Sequence, residues 1–205
     1  MRPVVHIVDD DESYRTATVR LLSAYGLKVE AYESGGQFLA CLPTCEPGCV
    51  LLDLQMPGQS GLQIQRQLCE QAPLLPIVFL TGEGDIKAGV DAMKAGAQDF
   101  LEKPSSVPVL LETIERALTQ YEKRRAEHER LQKLKTLVAS LSPREAEVFG
   151  LIIRGQLNKQ IAYALGISER TVKVHRHQVM EKLGARSLAG GVSIAADIGR
   201  TAAPE

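Results

Sequence analysis

The sequence predicts an α/β fold, a doubly wound parallel five-stranded sheet, followed by a helical linker and a small all-α four-helix domain. Three observations predict it. Short apolar runs in the first half end on polar or charged residues: "VVHIV" runs into Asp9 and Asp10, "VLL" into Asp53, "IVFL" into Thr81 and "FLE" into Lys103. The stretches between these runs are long enough for helices, and that βαβ rhythm makes a parallel sheet. Beyond residue 140 the pattern holds helices with start and stop signals and no convincing strand.

Leu110, Leu111, Ile114, Ala117 and Leu118 recur at helical spacing and close the first domain, residues 1–120. The middle of the next stretch, Glu122 to Arg130, is nearly all polar and free of Gly and Pro. Leu131, Leu134, Leu137, Val138 and Leu141 then restore an apolar stripe. Residues 121–140 therefore read as a helical linker with an exposed middle, because a flexible coil would favour Gly and Ser. In residues 141–200 the first helix has Ser142 as N-cap, Pro143 at its first position, Glu145 at its third and Gly155 as stop. A second, "NKQIAYALG", stops at Gly166. A third begins after Ser168 and ends at Gly184, and a fourth, weaker one starts near Ser187.

The formal net charge of −1 hides an asymmetry. Residues 1–120 hold 9 Lys/Arg against 16 Asp/Glu, residues 121–140 hold 6 against 3, and residues 141–200 hold 9 against 5. An acidic front and a basic back imply two tasks, the second directed at nucleic acid. No apolar run approaches the ~20 residues of a membrane span, and no basic-then-apolar leader opens the chain. A cytoplasmic protein without a membrane partner is expected. Its cysteines Cys41, Cys45, Cys49 and Cys69 are then reduced, and they lack the two-residue spacing common in zinc sites.

In parallel sheets ligands gather at the carboxyl ends of the strands. Asp9, Asp10, Asp53, Thr81 and Lys103 should therefore converge on one crevice. Adjacent carboxylates repel unless a cation shares them, and a hard cation such as Mg²⁺ or Mn²⁺ takes carboxylate and phosphate oxygens. Asp53 is the candidate nucleophile, since a carboxylate attacking phosphorus gives an acyl phosphate. Lys103 would offset charge on the transferring group, and Thr81 would donate a hydroxyl to it. Each Asp alone could equally be a helix N-cap; their joint occurrence at the strand ends is what favours chemistry.

Here the residues also carry a resemblance. "VVHIVDDDE", "LLDLQMPGQSG", "IVFLTGEGD" and "MKAGAQDFLEKP" resemble the CheY-like receiver domain of two-component response regulators over about residues 3–120. The resemblance implies phosphorylation of Asp53 and a cation held by Asp9, Asp10, Asp53 and the Gln55 backbone carbonyl. It also implies a switch pair, Thr81 and Phe100. Ser105 stands where the family has an aromatic residue after "KP".

Two helices joined at Gly166 make a helix-turn-helix candidate. The second helix turns Val172, Val179 and Leu183 inward. It places Arg170, Thr171, Lys173, Val174, Arg176 and His177 in the N-terminal half, which meets base edges in such motifs. A small helical packing domain with a solvated charged face is the plainer alternative. "LSPREAEV…NKQIAYALGISERTVKVHRHQVMEKLG" is similar to the LuxR/FixJ type of DNA-binding domain over about residues 138–197. By that resemblance Lys173, Val174 and His177 face bases, and Asn158, Lys159, Thr171, Arg176 and Lys182 hold phosphates. Gly190 and Gly191 each cost roughly 1 kcal/mol against Ala in the last helix, the one that pairs DNA-bound copies in the family.

Together the resemblances imply a FixJ/NarL-type regulator of transcription. It would take a phosphoryl group on Asp53 from a sensor histidine kinase, dimerise when phosphorylated, and bind promoter DNA, with RNA polymerase a candidate contact. Enzymatic action would be confined to gain and loss of its own phosphoryl group. Two rivals stand beside it: an orphan regulator that binds DNA without phosphorylation, and a hydrolase of the phosphoaspartate class. The intact acidic set disfavours the first. The recognition helix and the lack of a cap domain disfavour the second.

Overall fold

The computed structural model describes residues 3–42, 46–82, 86–185 and 187–199. In unit one, β1 (Val4–Val8), β2 (Lys28–Tyr32), β3 (Gly48–Asp53), β4 (Ile77–Thr81) and β5 (Asp99–Glu102) form one sheet in the order β2-β1-β3-β4-β5. All pairs are parallel; Val8 lies beside Leu52 and Asp53 beside Leu80. β1, β3 and β4 are buried along their whole length, as central strands of a doubly wound sheet must be.

Successive side chains point to opposite faces, so the apolar runs feed two cores. Val8, Val50, Leu52 and Phe79 pack with Phe38, Ile64, Leu68 and Ala92 on one face. These come from α2 (Gly35–Cys41), α3 (Gly61–Gln71) and α4 (Ile86–Lys94). Ile7, Leu51, Val78 and Leu80 pack with Leu22, Leu110, Ile114 and Ala117 on the other face. These last come from α1 (Glu12–Ala24) and α5 (Val107–Ala139). The switch in strand order falls between β1 and β3, where Asp53 ends β3 and Asp9 and Asp10 follow β1.

Two features differ from the sequence reading. No apolar run marked β2, because "KVEAY" is an edge strand and only Tyr32 is buried. The expected linker, residues 121–140, is not a separate element: α5 is one helix of 33 residues. Its exposed stretch falls on the polar segment read from the sequence.

The division between the two compact units lies between Arg125 and Ala126. The second unit contains the end of α5 and α6 (Pro143–Ile153), α7 (Asn158–Leu165), α8 (Glu169–Lys182) and α9 (Leu188–Asp197). Val138 and Leu141 sit in its core with Phe149, Val179, Leu183 and Ala195, so that core begins before residue 141. Val148, Ile152, Ile161 and Val172 fill a second cluster. Ser142 and Glu145 close a capping box with Pro143 at the first turn. Gly166 ends α7 at φ +64°, a left-handed conformation open to glycine. Ser168 and Ser187 cap α8 and α9. Among the described residues no helix is long and apolar enough to cross a membrane.

Candidate phosphoryl and nucleic-acid sites

The first site is built at the ends of β1, β3, β4 and β5. Asp9 is fully buried, Asp53 is buried and Asp10 is exposed. Each offers a carboxylate oxygen, and the three oxygens lie within 4.8 Å of one another. The Lys103 ammonium stands 2.7 Å from Asp9 Oδ2 and 2.9 Å from Asp53 Oδ2. It also lies over the Tyr14 ring, 4.6 Å from the centroid, a cation–π contact. The Lys103–Pro104 bond is cis.

Hydrogen bonds orient the carboxylates. Asp9 Oδ1 accepts from Asp11 N at 3.0 Å, and Asp53 Oδ1 accepts from Gln55 N at 3.2 Å. Asp11, not Asp9 or Asp10, caps α1, through Ser13 N and Tyr14 N. Asp9 is thereby released from the capping role. Its Oδ2 faces the ammonium but receives no well-directed hydrogen bond. A buried carboxylate oxygen without a directed donor, among three convergent carboxylates, fits a hard cation.

Burial raises the Asp53 carboxyl above its ordinary 3.8; Lys103 and the Gln55 amide pull against that rise. Burial opposes the charged Lys103 ammonium, but the adjoining Asp9 and Asp53 carboxylates outweigh it and leave its pKa raised. The ammonium therefore stays charged at neutral pH, beside a carboxylate whose charge is costly to bury. Thr81, also buried, donates its hydroxyl to Gly82 O at 3.1 Å. Phe100 is half-buried and packs against α4 at Gly89.

The second site lies on α7 and α8. Lys173, Val174 and His177 are exposed on α8, and Lys159 is exposed on α7. Thr171 Oγ1 shares a hydrogen bond of 2.8 Å with the Ser168 hydroxyl. Arg176 is half-buried, its Nη1 donating to Asn158 Oδ1 at 2.8 Å across the two helices. That bond ties the two helices together beside their apolar contact through Ile161 and Val172. Lys182 stands apart: its ammonium lies 2.7 Å from Glu145 Oε2, tying the end of α8 to the start of α6. Lys182 and the Ser142 amide hold the Glu145 carboxyl below its ordinary 4.5.

Several partners escaped the sequence reading. Tyr14 under Lys103 left no signal, because an aromatic in an amphipathic helix reads as packing. Glu145 was legible as a capping residue but not as the partner of Lys182. Among the cysteines, Cys41 is half-buried, Cys69 is exposed, and burial pushes the Cys49 thiol up to about 12. Cys45 lies outside the described residues. His6 is buried in β1, with Nε2 2.9 Å from Glu46 O, and His175 Nδ1 is buried without a partner.

Residues 5–115 match the model of the response regulator receiver domain. Residues 139–195 match that of the bacterial regulatory proteins of the luxR family. Response regulator protein TodT of Pseudomonas putida is 44% identical over 185 residues, covering 90% of this chain and 82% of TodT. Transcriptional regulatory protein FixJ of Rhizobium meliloti is 41% identical over 184 residues, 90% of each chain. Among solved structures, response regulator StyR superposes with a TM-score of 0.79 at 45% identity, over 96% of this chain and 99% of that one. Full-length FixJ from B. japonicum superposes with a TM-score of 0.60 at 38% identity, over 97% and 98%.

Proposed function

The chain belongs to the response regulators that join a receiver to a LuxR-type DNA-binding domain, and on that premise we propose a role for each residue of its two sites. Such a protein is a phosphorylation-dependent regulator of transcription, with a kinase and DNA as partners. The observation that carries the residue assignment is the Lys103 ammonium shared by Asp9 and Asp53 at the strand ends.

Asp53 is the phosphoacceptor. An oxygen of its carboxylate bonds to phosphorus as the phosphorus–nitrogen bond of the kinase's phosphohistidine breaks, and the imidazole leaves. Asp9, Asp10, Asp53 and the Gln55 carbonyl are the groups that would hold Mg²⁺ or Mn²⁺. The bound cation supplies charge neutralisation on the phosphoryl oxygens. Lys103 then pairs with the acyl phosphate, and Thr81 turns its hydroxyl from Gly82 O toward it. The space Thr81 leaves admits the Phe100 ring. That movement reshapes the face formed by α4, β5 and the first turns of α5, where Val90, Met93 and Val109 are exposed apolar residues. A second copy pairs there across a two-fold axis, with Lys94, Asp99, Glu102 and Arg116 as charged neighbours. Arg116 already holds Asp99 at 2.7 Å within the protomer, so the pairing exchanges or extends that bond.

On DNA, Lys173, Val174 and His177 read bases, while Asn158, Lys159, Thr171, Arg176 and Lys182 serve phosphates. RNA polymerase is the further partner, the location is cytoplasmic, and no reaction on another substrate is involved.

The experiment is labelling of full-length protein by a small phosphodonor, with and without Mg²⁺. The parent labels only with the cation, and Asp53→Asn folds but does not label. Undiminished labelling of Asp53→Asn would place the acceptor elsewhere. Sedimentation with and without beryllofluoride tests the dimer: an unchanged mass despite full occupancy would remove it.

A further inference from the structure

Two costly features bear on helix α4. The side chain of Gln65, on α3, is 1% exposed. Its Nε2 donates to Ala92 O near the end of α4 at 3.0 Å, whereas its Oε1 is buried with no partner. A buried amide oxygen left unpaired destabilises a fold, and an apolar side chain there would avoid the loss. One turn earlier, Gly89 is buried inside the helix, where Ala would be favoured. A β-carbon at Gly89 would lie 2.8 Å from both Cε2 and Cζ of Phe100. The helix backbone thus bears directly on the ring. Gly89 and Ala92 are three residues apart, so the ring and the amide hold α4 within one turn of each other. Val90 and Met93 stand exposed away from them.

We propose that α4 is a lever, with Gln65 as the pivot at its C-terminal end and Gly89 as the bearing on which Phe100 acts. Gln65 and Gly89 are positioning residues. They act through α4, and what they position is the apolar pair Val90 and Met93 that faces a second copy of the chain. When the ring leaves Gly89, α4 is released at that point while the Gln65 bond holds its end. The motion becomes a tilt that re-aims the pair, instead of a drift of the whole helix. The proposal rests on the Thr81–Phe100 switch and on the dimer argued above.

The test uses full-length protein and five variants. Gln65→Leu, with Gln65→Met as a second substitution of similar volume, should label at the parental rate, which certifies a folded crevice. In beryllofluoride its dimer should be about tenfold weaker than the parent's, a coupling loss of about 1.4 kcal/mol. Gly89→Ala displaces the ring without a phosphoryl group, so its unphosphorylated dimer should be about tenfold tighter than the parent's. Adding Phe100→Ala to Gly89→Ala removes what the β-carbon strikes and should return the dimer constant to that of Phe100→Ala alone. A parental dimer constant for the folded Gln65 variants overturns the pivot. No gain in Gly89→Ala, or a gain that survives without the ring, overturns the bearing. If the parent itself fails to dimerise in beryllofluoride, the dimer reading falls, and amide exchange across Ile86–Lys94 decides the lever. Beryllofluoride should change that exchange in the parent and not in Gln65→Leu; equal changes overturn it.

Discussion

The receiver crevice and the recognition helix treat charge in opposite ways. In the crevice, Asp9 and Asp53 are buried, Lys103 is half-buried, and the ammonium already pairs with both carboxylates. On α8, Lys173 and His177 stand in solvent. On the roles proposed for these residues, the difference follows from the work. Phosphoryl transfer needs charges held in place and shielded from water, so that they interact strongly with the transferring group. DNA brings its own charge, and a side chain that must reach base edges or phosphates has to be free when it arrives. Arg176 and Lys182 lie between these extremes, since each spans two helices within its own unit.

The largest effect that would break this comparison is at Lys103. Replacing it with Met leaves Asp9 and Asp53 facing each other without a counter-charge. Removing one partner of a buried ion cluster costs about 3 kcal/mol, so the receiver should unfold at lower denaturant in the absence of divalent cations. Mg²⁺ should restore part of that loss by taking the place of the ammonium. Equal destabilisation with and without Mg²⁺ would mean that the carboxylates do not share a cation.

On the exposed side, Lys173→Ala should weaken binding to the specific site by about 1–3 kcal/mol and leave random DNA nearly unaffected. Titration against both DNAs checks this, and equal losses would reduce Lys173 to a charge contact. Lys159→Ala should weaken both DNAs alike and lower the slope of log affinity against log salt by about 1. Lys182→Met sharpens the contrast. If its bond to Glu145 dominates, the helical unit loses stability with little change in salt slope. A slope change equal to that of Lys159→Ala would restore its phosphate role.

The smallest effect concerns pH. Burial raises the folded pKa of Asp53 above its ordinary 3.8. The folded state therefore binds that proton more readily than the unfolded chain, and the ionised form works against folding. This destabilisation is fully present above the folded pKa and is lost as the pH falls through it. Asp53→Asn should accordingly be slightly more stable than the parent in metal-free buffer at neutral pH. Its advantage should vanish toward pH 3.8, as read by thermal melts across the range. An advantage that persists in acid would trace to packing instead. Lys103 has the opposite sign: its raised pKa contributes stability that is complete below 10.5 and lost as the pH rises through the raised value.

Much of this was legible before any coordinates. A strand buried on both faces must be an unbroken apolar run, so β1, β3 and β4 announced themselves, and β2 at the edge did not. Helix ends carry their own chemistry within four residues, so Ser142 with Glu145, Gly166, Ser168 and Ser187 marked the second unit correctly. The convergence of Asp9, Asp10, Asp53, Thr81 and Lys103 was legible because each ends or follows a strand, and the sheet brings strand ends together by construction.

Pairing was decided only in the folded chain. Lys103 and Asp53 are 50 residues apart, Lys182 and Glu145 are 37 apart, and Gln65 and Ala92 are 27 apart. The sequence named most of these residues, but periodicity and capping are local rules that do not reach across such distances. Which carboxylate Lys103 meets, whether Lys182 is free for DNA, and what Gly89 leaves room for depend on how whole elements pack. Packing also decided that the core of the second unit begins within α5, since Val138 and Leu141 have an apolar face to fill only once Phe149, Val179 and Leu183 are in place.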